Sequence, residues 1–94
     1  MANQAFYISS MTIGFIAAFL TTAAFLPQVY KTIKTRQVKD LSLTTFSMIF
    51  LGTILWCLHG FRIGDQPLIL ANAVTAILAG TILAMKILHL LTKN

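Results

Sequence analysis

Residues 41–85 read LSLTTFSMIFLGTILWCLHGFRIGDQPLILANAVTAILAGTILAM. Two stretches of it, Leu41 to Phe61 and Gln66 to Met85, contain no Asp, Glu, Lys or Arg. About 20 apolar residues in a helix, rising ~1.5 Å each, span the ~30 Å hydrocarbon core of a bilayer. FRIGDQP between them is a tight break. Gly64 is expected to terminate one helix, Asp65 to cap the next, and Pro67 to fit its first turn. The segment therefore predicts two antiparallel transmembrane helices joined by a short turn.

A third helix precedes them. Residues 1–30 carry no charge, and their apolar part runs from Ala5 to Tyr30. A secretory leader needs a basic start and a shorter apolar core, whereas the first basic residue here is Lys31. This stretch is accordingly expected to remain as a mature helix. Residues 31–40, KTIKTRQVKD, hold four of the seven basic residues and predict a polar loop, and KILHLLTKN closes the chain. The expectation is one all-α transmembrane domain over 1–94, a three-transmembrane-helix bundle. Its first helix covers about 5–30, the inner loop 31–40, the second helix about 41–62, the outer turn 63–66 and the third helix about 67–90.

Composition supports the membrane reading. Of 94 residues, 57% are hydrophobic and only 10% charged, against about 25% charged in a soluble domain. The net charge of +5 lies at the ends of apolar runs. It does not form a solvated basic face, so nucleic-acid binding is not expected. Lys31, Lys34, Arg36 and Lys39 in the first loop, with Lys86 and Lys93 near the C-terminus, oppose Arg62 alone at the other end. Six basic residues against one place the first loop and the C-terminus inside, and the N-terminus and second loop outside. Membrane lipid is thus an expected partner. The single cysteine, Cys57, lies in an apolar run and reads as a small buried hydrophobe. No Cys/His spacing suggests a metal, and no cofactor motif is present.

Several residues inside the spans stand out. Pro27 removes a backbone hydrogen bond near the inner end of the first helix, and the freed carbonyl needs protein or water around it. A hinge and a static kink both satisfy that. Gly52, Trp56 and Gly60 recur every four residues on one face of the second helix. The glycines are expected to leave open space on both sides of the indole, unlike the surroundings of an interfacial anchoring Trp. Asn72, Ala76, Gly80 and Ala84 form a small-residue stripe on the third helix, a packing face. Asn72 carries the only side-chain amide in the interior of a span, and reads as a polar contact to substrate or as a helix–helix hydrogen bond. Trp56 and Asn72 both fall about 10–12 Å from the Gly64–Asp65 turn at ~1.5 Å per residue. At one depth, an aromatic plate stacks on a pyranose and an amide both donates to and accepts from hydroxyls. His59, Arg62 and Asp65 sit just outside that level, as a possible outer gate or as ordinary interfacial groups; an Arg62–Asp65 pair there is worth only ~0–1 kcal/mol.

No Asp, Glu, Lys or Arg occupies the middle of a span. Proton-coupled carriers usually keep one there, so facilitated diffusion of a neutral solute is expected. No nucleophile–base pair or phosphate-binding glycine loop appears, so an enzyme is not.

Together Pro27-Gln28, the basic loop leading to Asp40-Leu41-Ser42, Leu55-Trp56 and Pro67 with Leu70-Ala71-Asn72 resemble the bacterial SemiSWEET sugar transporters of the PQ-loop superfamily. The resemblance covers about Gly14 to Lys86. It implies a third helix packed between the first and second, and a parallel homodimer about an axis along the membrane normal. A sugar would sit between the chains in a bacterial inner membrane. It further implies that Trp56 and Asn72 contact the sugar, each twice per dimer, and that Pro27 and Gln28 let helix one swing to gate the inner side. The outer gate of relatives uses an aromatic hydroxyl with an Arg–Asp pair. Here His59 stands near the aromatic position and Arg62 is spaced differently. The dimer also follows from geometry, since three helices leave no central channel and a two-fold pair makes one.

Three functions are therefore weighed. The first is a sugar uniporter for mono- or disaccharides, working by alternating access. The second is an amino-acid transporter of the PQ-loop type, although a zwitterion would want a fixed charge at the site. The third is a small membrane assembly subunit whose small-residue stripes dock a larger partner.

Overall fold

A computed structural model describes residues 2–93. It contains α1 (Ala2–Thr35), α2 (Leu43–Ile63) and α3 (Gln66–Thr92), and no strand among the described residues. All three helices are long and apolar enough to cross a membrane. Helix α1 continues to Thr35 and not only to Tyr30, so Lys31 and Lys34 ride on its last turns. Lys34 Nζ lies 5.7 Å from the centre of the Tyr30 ring, one turn back. At ~1.5 Å per residue α1 is about 50 Å long and overshoots the hydrocarbon. Its basic end therefore emerges into water or headgroups.

Local chemistry sets the ends of these helices. Helix α1 stops at Arg36, whose φ of 57° is left-handed and whose N–H donates to Thr32 O at 2.8 Å. Any residue with a Cβ is strained there by about 1 kcal/mol relative to glycine. Arg36→Gly is thus expected to stabilise the fold by roughly 1 kcal/mol in thermal melts; an unchanged or lower melting point would refute this account of the turn. Ser42 Oγ accepts from Thr45 N–H at 3.1 Å and starts α2. Helix α2 ends on Gly64, with φ 71° and ψ 31°. The next N–H, of Asp65, closes back on Gly60 O at 2.9 Å. Asp65 Oδ1 then accepts from Leu68 N–H at 3.1 Å and caps α3, with Pro67 in the first turn.

The helices do not wind around a common centre. Helix α3 packs closely on both neighbours, while among the described residues the backbones of α1 and α2 stay further apart. The result is a layer 64 × 24 × 14 Å, in the order α1, α3, α2. A helix with side chains is about 10–12 Å across, so the layer is little more than one helix thick. Its interior is correspondingly small. Val29, Val38, Ala79 and Ile82 are the buried hydrophobic residues, while Phe6, Phe19, Ile77 and Leu91 lie at least 70% bare. Soluble monomers rarely expose contiguous apolar patches above a few hundred Å². Both faces of this layer need lipid or protein against them.

Three close approaches hold the layer. A Cβ on Gly14 would stand 3.1 Å from the Pro67 ring, joining α1 to α3. A Cβ on Gly80 would stand 2.8 Å from the Phe50 ring, and one on Gly60 2.8 Å from Ile69 Cγ1, joining α2 to α3. The small residue at Gly80 is thus a packing device, as the α3 stripe predicts. Most threonine hydroxyls are satisfied within their own helices. Thr12, Thr32, Thr75 and Thr81 each donate to the carbonyl four residues back at 2.9 Å, which suits them to a lipid setting.

The basic end has its own fastening. Val38, in the 36–42 connection, is buried. Lys86 of α3 donates from Nζ to Val38 O at 3.1 Å and to Lys39 O at 2.8 Å. At 7% exposure it is the buried charged residue of the chain. Two backbone carbonyls partner its ammonium where a carboxylate would otherwise be expected.

Candidate functional site

Trp56 projects from α2 and is 55% exposed. Its indole meets His59 edge-on, with ring centres 5.8 Å apart and planes at 73°. Together with Gly52 and Leu55 these residues line an open groove of about 400 Å³. A Cβ added at Gly52 would touch nothing within 4 Å, so one flank of the indole is free, as the glycine spacing predicts. The other flank is not. Gly60 is buried against Ile69 and the Asp65 carbonyl. Residues four apart differ by about 40° around a helix, so over two such steps the stripe turns from open space into the α2–α3 contact.

This difference is measurable. Gly60→Ala is expected to destabilise by about 1–3 kcal/mol through overpacking. Gly52→Ala is expected to be neutral or stabilising by up to about 1 kcal/mol, since alanine favours a helix. Equal melting points for the two variants would contradict this assignment.

Asn72 lies half-buried on α3. Its Nδ2 donates to Leu68 O at 2.9 Å in the same helix. That bond fixes the side chain and leaves Oδ1 and the second amide hydrogen out of it. Contacts on either side set its level: Cys57 Sγ lies 3.6 Å from Ile69 O, and Phe50 packs against Gly80. Within an antiparallel pair bracketed in this way, Asn72 falls within a turn of Trp56. The groove beside Trp56 is walled by α2 alone. One chain thus presents the indole and the amide at one depth without enclosing a space between them.

Arg62 is exposed at the outer end of α2. The Asp65 carboxylate is engaged as the cap of α3, so within one chain it is already committed to a backbone N–H. Pro27 lies inside α1, which continues helically through it. Lacking an N–H, it leaves the Ala23 carbonyl without its usual partner. Gln28 borders a small cleft with Val29, Thr32, Phe46 and Ile82, between all three helices. A different groove, between α1 and α3, holds about 340 Å³ and is lined by Phe15, Phe19, Leu26, Leu70 and Val74. Its walls are almost wholly apolar and offer little to orient a hydroxylated solute.

Residues 9–69 match the PQ loop repeat. The chain is 52% identical over 75 residues to the sugar transporter SemiSWEET of Bradyrhizobium diazoefficiens, covering 80% of this chain and 87% of that one. This chain belongs to the SemiSWEET group of the PQ-loop repeat family. The SemiSWEET of Leptospira biflexa is 47% identical over 80% of this chain and 88% of its own length. A crystal structure of SemiSWEET in the inward-open conformation superposes with a TM-score of 0.86 at 35% identity, covering 90% of this chain and 99% of that one. A bacterial homologue of SWEET transporters gives 0.74 at 40% identity, over 85% and 96%. The three-helix layer with α3 in the middle is therefore the SemiSWEET fold, and this is a multi-pass membrane protein.

Two residues with structural weight escaped the sequence reading of this SemiSWEET chain. Lys86 counted only as a positive charge at the inner end, although it pins the connecting loop. Arg36 counted likewise, although its backbone is left-handed. The one available signal for Lys86 was its place inside AMKILHLL, an apolar setting that calls for partners.

Proposed function

We propose that this SemiSWEET chain transports a mono- or disaccharide across the bacterial inner membrane, as a parallel homodimer working by alternating access. The observation that carries this reading is the match of most of the chain to relatives named as sugar transporters and of almost the entire layer to a solved SemiSWEET. The layer's thinness supports the dimer. A sheet of three helices encloses nothing, whereas two facing copies bring two indoles and two amides around one axis. Trp56 stacks the sugar ring and Asn72 hydrogen-bonds its hydroxyls. Pro27 and Gln28 form the hinge at which the inner part of α1 moves. His59, Arg62 and Asp65 stand at the outer mouth, where Arg62 of one copy meets Asp65 of the other in the outward-closed state. The basic end lies in the cytoplasm, which puts the N-terminus outside.

Uptake by proteoliposomes tests the function. Radiolabelled glucose or sucrose is expected to equilibrate without an imposed proton gradient, because no Asp, Glu, Lys or Arg lies mid-span. A requirement for that gradient would rule out uniport. Competition by amino acids but not by sugars would replace the substrate class. A second expected outcome concerns the hinge: Pro27→Ala is expected to slow exchange severalfold while leaving equilibrium sugar binding within about twofold, because it restores a backbone bond far from the ring contacts. Loss of binding in that variant would remove Pro27 from the gating role. Labelling of a cysteine placed at Thr35 from the outside would invert the orientation.

A further inference from the structure

Between the inner ends of α1 and α3 lies a groove of about 460 Å³, lined by Ile33 and Arg36 on one side and Met85, Leu88, His89 and Thr92 on the other. Its apolar residues lie toward the bilayer and its polar ones toward the chain's basic end. We propose that this groove binds an anionic phospholipid, with the phosphate between Arg36 and His89 and the upper acyl chain against Ile33, Met85 and Leu88.

Three observations support that occupant. The groove is preformed. Its floor is Val38, which is buried and tied to α3 by Lys86. Charge complementarity favours an anion, since Lys31, Lys34, Arg36 and Lys39 cluster around the end of α1 with Asp40 as the acidic residue beside them. Basic crevices between helices on the cytoplasmic side suit acidic headgroups. Finally, Leu88 is 60% bare, so the apolar wall continues onto the surface that meets lipid. The groove adjoins two helix C-termini, whose dipoles disfavour an anion. That effect is small where the termini are exposed, and the basic side chains offset it. A soluble anion would satisfy the polar rim and leave the apolar walls unused; a phospholipid fills both.

The test uses the full chain in nanodiscs, followed by its melting temperature. Phosphatidylglycerol added to phosphatidylcholine is expected to raise the melting temperature by about 5 °C or more, the scale of a ligand near tenfold over its Kd for a domain of this size. Arg36→Gly combined with His89→Ala is expected to lose that increment. Arg36→Gly alone should melt higher than wild type in pure phosphatidylcholine, which separates loss of the site from loss of the fold. Lys93→Ala, which removes a charge elsewhere on the same end, should keep the increment. The proposal is overturned by equal melting in the two lipids, by an equal loss in Lys93→Ala, or by an equal rise with inorganic phosphate in pure phosphatidylcholine.

Discussion

Trp56→Ala should weaken sugar binding by about 30-fold and depress uptake in parallel. An aromatic contact is worth on the order of 1 kcal/mol beyond its area. The proposed homodimer would lose it twice, and 1.4 kcal/mol corresponds to tenfold. Asn72→Ala should act similarly, since a net hydrogen bond is worth about 1 kcal/mol and two are removed. Trp56→Phe keeps a smaller ring and should retain most of the affinity. Binding isotherms on purified protein, with uptake measured on the same preparations, check these values. Because the indole is more than half bare in the single chain, the fold should survive its removal. Wild-type binding in both alanine variants would dismiss the pair as the sugar site.

The second large effect concerns stability. Lys86→Met preserves much of the side chain's bulk but leaves Val38 O and Lys39 O without their donor. Hydrogen bonds to charged groups contribute about 1.5–3 kcal/mol each, and an unsatisfied buried carbonyl adds to the loss. Leu41 N–H still reaches Val38 O at 3.1 Å, so a total near 2–3 kcal/mol is expected. Melting should fall accordingly, and amide exchange should accelerate over 36–42 while the α2–α3 turn stays protected. An unchanged exchange rate in that loop would show that Lys86 does not hold it.

Much of this molecule was legible in its sequence because the governing chemistry is local. Lipid thickness fixes the length of a charge-free run, and Gly64, Asp65 and Pro67 act within a few residues of themselves. Helix faces were harder to read. When nearly every side chain is apolar, periodicity no longer separates a core side from a lipid side, so the flat order α1, α3, α2 came into view through family resemblance and not through pattern. Gly52 and Gly60 are the same residue on one nominal stripe, yet only Gly60 meets a neighbour, because that depends on where Ile69 stands on another helix. Lys86 was opaque for a different reason. Its partners are backbone carbonyls, and any sequence supplies those. The site was legible in depth, through the equal distances of Trp56 and Asn72 from the turn, but not in enclosure, which one chain does not provide.

The separation of the α1 and α2 backbones has a mechanical meaning. The close approaches of α1 and of α2 are each made to α3, and Lys86 grounds residues 38 and 39 on α3 as well. Between α1 and α2 lies a small cleft bordered by Gln28, Val29, Thr32 and Phe46. Helix α3 is thus the chassis of the chain, on which the other two helices are mounted.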